Sequence, residues 1–299
     1  QVLETIELDK IRFKGYAFSD NPDLKAHAVI TRDVATEGMV LLKNEQQTLP
    51  LSDDIKTIAV FGNTSYRAVA GGTGSGDVAE AYTISLEEGL QHAGYKMDAG
   101  IKKMYEEYID AEEAKIDKKK YMHVTPPRIL EYNLPDEVLR KKADEADIAM
   151  VTIGRNAGEY TDRRVEDDFN LCDDEMQMLK KVTELFHQAG KSVVVILNIG
   201  GVVETASWRD LPDAILVAWQ GGQESGNSLA DILSGKVSPS GKLPMTFPIR
   251  YEDAASSKNF PVIEAEEAVN IYREFFTGAK GVDRPNVDYT LYEEGIFVG

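Results

Sequence analysis

"KSVVVILNIG", residues 191–200, decides the fold. It is a β-branched apolar run without polar alternation, closed by a glycine. A strand with one wet face alternates; a continuous apolar run is buried on both faces, as in a parallel sheet. Working outward, "KTIAVFG" (56–62), "DIAMVTIG" (147–154) and "DAILVAWQGG" (213–222) repeat the pattern. "VLLKNEQQTLPL" (40–51) reads as a short strand running into a Pro-marked turn.

Helical patterns separate these runs. Residues 83–93, 135–145 with Pro135 at the N-terminus, 173–189 with acids in the first turn and Gly190 behind, and 223–234 fit helices. Ahead of the first run, Ala26, Val29, Ile30, Val34 and Met39 recur at helical spacing over 24–39, which predicts a helix leading into the core. The βαβα alternation predicts an α/β fold with a doubly wound sheet. Residues 103–131 are charged, include "DKKKYMHVTPP", and read as an insertion on the rim, a solvated helix and loop rather than a basic binding site. After "GKLPMTF" the pattern stops, and the remainder reads as a tail that wraps over or runs into a partner domain.

The 299 residues are 42% hydrophobic, enough for a large core, and carry a net charge of −18. That charge argues against nucleic acid or an anionic membrane surface as partner and favours a neutral or cationic ligand. Cys172 stands alone, so no internal disulfide is available, and His27, His92, His123 and His187 lack metal-ligand spacing. No metal or cofactor is expected. No apolar run has the length of a membrane span, and the first residues lack the apolar core of a signal peptide.

In an open parallel sheet, ligands bind beyond the carboxyl ends of the strands. The loop after the first long strand holds "GGTGSGD" (71–77), whose glycines let something approach the backbone closely. Phosphate is a poor fit. A Walker-type loop needs Lys and then Ser or Thr after its last glycine, where this chain has Asp77. A dinucleotide fingerprint needs its glycines in the turn joining strand to helix, and here about twenty residues of loop intervene.

The next loop, "GRNAGEYTDRRVEDD" (154–168), carries Glu159 beside Tyr160. A carboxyl next to an aromatic in a loop that closes on a ligand suits general acid catalysis, since partial desolvation raises its pKa. A solvated Glu in a charged loop is the plainer reading of the spacing, and Glu166, Asp167 and Asp168 compete for the role. Gln223 and Glu224 begin a helix, where Glu224 complements the dipole, and Lys242 has no activating neighbour in sequence. No Gly-x-Ser-x-Gly elbow or Cys–His pairing supports nucleophilic Ser or Cys chemistry.

Together, "EGMVLLKNEQQTLPL", "GGTGSGD" with "YTISLEEGL", "GRNAGEYTDRR", the block at 197–248 and "LYEEGIFVG" resemble glycoside hydrolase family 3, the β-glucosidase and β-xylosidase family. The resemblance implies the C-terminal α/β sandwich of a retaining exo-β-glycosidase, with a mostly parallel six-stranded sheet and helices on both faces. It divides the chain into a connector and lead-in helix (1–45), the sandwich (46–250) and an extended C-terminal tail (251–299). A (β/α)8 barrel bearing the nucleophilic Asp is absent from this chain, which alone is then inert. The resemblance also implies that Glu159 is the general acid/base and that Ser75 contacts the sugar in the −1 subsite, with Gly74 letting the backbone approach and Tyr160 beside the aglycone. The implied partners are a β-linked glucoside or short oligosaccharide and the barrel, and the implied location is the periplasm or outside the cell. A β-xylosidase or other pentosidase, or a module that only binds sugar, are the alternatives.

Overall fold

The computed structural model describes residues 21–116, 127–156 and 163–259. Five strands form one sheet: β1 (Val40–Asn44), β2 (Ile58–Phe61), β3 (Ile148–Arg155), β4 (Val193–Ile199) and β5 (Ala214–Val217). Their order is β1-β5-β4-β3-β2. Strands β2 to β5 are parallel, with Ile58 opposite Ile148, Met150 opposite Val194 and Val194 opposite Ala214. Strand β1 closes one edge antiparallel to β5, Val40 facing Val217.

The expected fold class holds, with five strands among the described residues rather than six. Every residue of β2, β3, β4 and β5 is buried. Successive strand residues point to opposite faces, so both faces of this part of the sheet are covered, as the unbroken apolar runs require.

Among the described residues, six α-helices accompany the sheet: α1 (Leu24–Gly38), α2 (Leu86–His92), α3 (Ala99–Glu113), α4 (Asp136–Glu145), α5 (Asp173–Gln188) and α6 (Ser225–Leu233). Helix α5 packs on β3 and β4 and against α4, while α6 packs against α1 and α2. Ser85 and Glu88 form a capping box that starts α2, each bonding the other's backbone N–H. The α2–α6 contact is backbone on backbone. A Cβ at Gly226 would stand 1.8 Å from the Ser85 carbonyl oxygen, and one at Gly89 would stand 2.0 Å from that of Gly226. Gly226→Ala must push the two helices apart, and a loss of about 3 kcal/mol in urea unfolding is expected, the upper end of the range for overpacking.

Two expectations are corrected. The helix expected at the start of 103–131 exists as α3, but it begins at Ala99 and is not solvated all round: Ile101, Tyr105 and Ile109 are buried. Their spacing of four puts them on one stripe, and the Tyr105 ring stacks on Tyr66 at 4.9 Å. Helix α1, expected to enter the core, instead leaves Val29, Ile30 and Val34 about 60% exposed; within the helix Thr36 is the buried residue, and Met39 just beyond it is fully buried. Its attachment is polar: the Arg32 guanidinium donates to both Asp231 carboxylate oxygens, at 2.5 and 2.7 Å.

Candidate active site

The loops beyond the carboxyl ends of β2, β3, β4 and β5 meet at one edge of the sheet. Strand β2 leaves through Gly62 at φ +97°, where a Cβ would lie 2.4 Å from the Thr152 carbonyl oxygen, so only glycine lets the chain turn there. Ser65 then anchors the turn, its hydroxyl 2.8 Å from the Phe61 carbonyl and 2.9 Å from Thr152 Oγ1.

From there the chain passes over the ends of β4 and β5. Asn198 Oδ1 accepts from the Val69 N–H at 2.8 Å, and its Nδ2 donates to Val69 O at 2.9 Å and Trp219 O at 2.7 Å. The Gly222 N–H donates to Ala70 O at 2.9 Å, and Gln220 Nε2 donates to Gly71 O at 3.0 Å. Four bonds therefore hold residues 69–71 to the two strand ends. Beyond them Gly74–Gly76 make one 3₁₀ turn, with Gly74 at φ +65° and Ser75 exposed. The expected sugar contacts Gly74 and Ser75 sit at the tip of a loop whose base is fixed.

Two residues past the end of β5, Trp219 sits at φ +55°, a conformation a bulky residue rarely adopts. Its indole N–H donates to Gly38 O at 3.1 Å, and Phe247 meets its ring edge-on at 6.3 Å. Strain of this kind concentrates where a backbone is held for function.

Glu159 and Tyr160 lie outside the described residues, in 157–162. The residues flanking that stretch are fixed. Asn156 Oδ1 accepts from Gln220 Nε2 at 3.1 Å, which links the second loop to the first. Arg163 donates to Val202 O at 2.7 Å and to Asp168 Oδ1 at 2.9 and 2.8 Å. Of the competing acids, Asp168 is therefore engaged as the counterion of Arg163, whereas Glu166 and Asp167 are exposed. Glu224 is buried and accepts from Tyr82 Oη and Asn227 Nδ2, a structural role as its helix-terminal position suggested; Lys242 is exposed.

Beneath the second loop lies a buried ion pair. Arg155, the last residue of β3 and 2% exposed, meets fully buried Glu175 of α5 through two bonds of 2.5 and 2.7 Å. Arg128 joins the same carboxylate from outside. Burial pushes Glu175 upward, but the hydrogen bonds and charge of Arg155, with Arg128, outweigh it and hold the carboxyl below its ordinary range. The acids in the first turn of 173–189 gave no sign of this pair, because the partner of Glu175 lies on another element. Asn198 had a signal: it is the one polar side chain in an otherwise apolar run.

Among the described residues, no group of three or more His, Cys, Asp or Glu is placed to hold a metal, and no helix is long and apolar enough to cross a membrane. An open cavity of about 530 Å³ lies beside β1, lined by Leu42, Lys43, Arg209 and residues 243–247, and it shares no lining residue with either loop.

The model of the glycosyl hydrolase family 3 C-terminal domain matches residues 39–299. The chain is 36% identical to beta-glucosidase A of Butyrivibrio fibrisolvens over 281 residues, covering 84% of this chain and 32% of that protein. It is 34% identical to a beta-glucosidase of Ruminococcus albus, covering 83% of this chain and 26% of that one. Among solved structures, beta-glucosidase 3B of Thermotoga neapolitana in complex with glucose superposes with a TM-score of 0.76 at 43% identity, over 86% of this chain and 35% of that chain. The chain thus spans about a third or less of the length of these relatives.

Proposed function

The chain belongs to the glycosyl hydrolase family 3 C-terminal domain family, and on that premise we propose that it forms one half of the active site of a retaining exo-β-glycosidase of the β-glucosidase type. The observation that carries this reading is the clamping of the glycine-rich loop over β4 and β5 by Asn198 and Gln220, with Gln220 also bound to the second loop at Asn156. That arrangement supports Gly74 and Ser75 as the sugar contacts, and it ties Asn156, which precedes the stretch with Glu159 and Tyr160, to the same clamp. The exposed Val29, Ile30 and Val34 of α1 support a further domain against this one, and the greater length of the relatives supports it too. We take that domain to be the (β/α)8 barrel.

In this mechanism a barrel carboxylate attacks the anomeric carbon while Glu159 protonates the leaving oxygen. Glu159 then takes a proton from the incoming water as the glycosyl–enzyme bond breaks. Retention requires the two carboxyls to stand roughly 5 to 5.5 Å apart, so the loop must be held against the barrel. Backbone and hydroxyl groups at 74–75 suit an uncharged sugar, in keeping with a chain of net charge −18 that repels anions.

The test compares this chain alone with the complete enzyme on an aryl β-glucoside. Turnover by the complete enzyme and none by the 299-residue chain is expected. Turnover by the chain alone would place both carboxyls within it and refute the shared site.

A further inference from the structure

The segment 127–134 touches both loops of the site. On one side, the Asn63 N–H donates to Glu131 Oε2 at 2.8 Å, Asn63 Nδ2 donates to Leu130 O at 2.8 Å, and the Tyr132 N–H donates to Asn63 Oδ1 at 3.4 Å. Asn63 is the first residue after the Gly62 turn, so these bonds fix where the sugar-facing loop sets out. On the other side, Arg128 Nη2 donates to Asp167 O at 2.8 Å. Asp167 has φ +59°, so the guanidinium steadies a backbone carbonyl in a conformation that few side chains favour. Arg128 also shares Glu175 with Arg155, whose Nε donates to Asp168 O at 2.6 Å. Two successive carbonyls of the acid-bearing loop are thereby tied to one buried carboxylate.

Glu131 itself is only 6% exposed. Burial pushes its carboxyl up to about 8, with nearby Glu175 adding to the rise and the Asn63 N–H, Arg128 and Arg155 opposing it. A carboxyl in this position is nearly shut off from solvent and forms no ion pair in direct contact among the described residues. Its service is to accept the Asn63 N–H, which an uncharged carbonyl of the same shape could also do.

We infer that Glu131 and Arg128 are positioning residues: the strap 127–134 holds the glycine-rich loop and the Glu159 loop in one fixed relation across the substrate. This rests on the proposed glycosidase reading for its kinetic consequence but not for its structural one. Arg128 acts on the loop that bears the acid, and Glu131 acts on the loop that faces the sugar. The two should therefore fail differently.

The experiment uses the complete enzyme and three variants, Glu131→Leu, Glu131→Gln and Arg128→Met. Hydrogen exchange is followed at residues 63–77 and 163–169, and kinetics on β-glucosides with good and poor leaving groups. Glu131→Leu should speed exchange in 63–77 and raise KM about tenfold on both substrates alike, as expected for a small displacement of a binding loop. Arg128→Met should speed exchange in 163–169 and lower kcat about tenfold, chiefly on the poor leaving group. Glu131→Gln, which keeps an acceptor for Asn63, should restore parental exchange and KM. Lowered thermal stability in all three variants with neither loop selectively loosened would overturn the inference, as would failure of the Gln variant to rescue. If the parent hydrolyses no β-glucoside, the proposed function fails instead, and the exchange data alone decide the strap.

Discussion

Glu159→Ala in the complete enzyme is expected to lower kcat/KM on an alkyl β-glucoside by about 10²- to 10⁴-fold, the usual range for a lost general acid. On an aryl β-glucoside whose phenol leaves without a proton, glycosylation should be nearly spared. Hydrolysis of the covalent intermediate would then limit turnover, because water has lost its base. Added azide needs no deprotonation and should restore turnover on the activated substrate. The geometry narrows the rivals: Asp168 is committed to Arg163 at 2.8 Å, which leaves exposed Glu166 and Asp167 in that loop. Equal losses on both substrates would move the role to one of these or to the barrel.

Glu175→Leu should cost about 3–5 kcal/mol of stability, the range for removing one partner of a buried pair. The residual Arg155 cation is 2% exposed, and apart from a longer ion pair of 3.6 Å with the Asp168 carboxylate, which Arg163 also engages, its remaining acceptors are the neutral carbonyls of Gly154, Asp168 and Asn170. For a domain of this size such a loss corresponds to a fall in Tm of about 10 °C. Arg155→Met together with Glu175→Leu should recover a good part of it, since the fully buried cation goes with its partner and the Arg128 left behind is partly exposed to solvent. The pH dependence carries a sign. Glu175 is held below its ordinary 4.5 by Arg155 and Arg128 against the pull of burial, so its stabilisation is complete above that pH and fades as pH falls below it. The parent should lose stability through that acid range, measured by urea unfolding between pH 3 and 6, and the double variant should lose less. A parent with no such acid limb would show that the pair is weaker than its geometry implies.

How much of this was legible depended on whether the signal was local. Strands β2 to β5 announce themselves because burial on both faces writes an unbroken apolar run. Helix α5 does so through its acidic first turn and Gly190. The buried face of helix α3 was hidden, though a helix was expected there, because Ile101, Tyr105 and Ile109 are spaced among Lys and Glu, and a thin stripe in a charged stretch looks solvated until something is found to pack on it. Helix α1 erred the other way: its apolar residues are real, but within this domain they face out. At the candidate site, the loop of residues 71–77 stood out because glycines cluster for a backbone reason, and the base of that loop is clamped to the strand ends. Arg128, Glu131 and Arg155 could not be found, since their partners Asp167, Asn63 and Glu175 are 39, 68 and 20 residues away in sequence. Spacing carries no record of such pairs.

The decisive measurement is the identity of the sugar product when the complete Glu159→Ala enzyme turns over an activated β-glucoside in azide. If Glu159 is the acid/base of a retaining site whose nucleophile lies on another domain, azide should intercept the covalent intermediate and yield β-glucosyl azide with restored turnover. Unchanged slow hydrolysis with no glucosyl azide, or a product of inverted α configuration, would contradict that assignment.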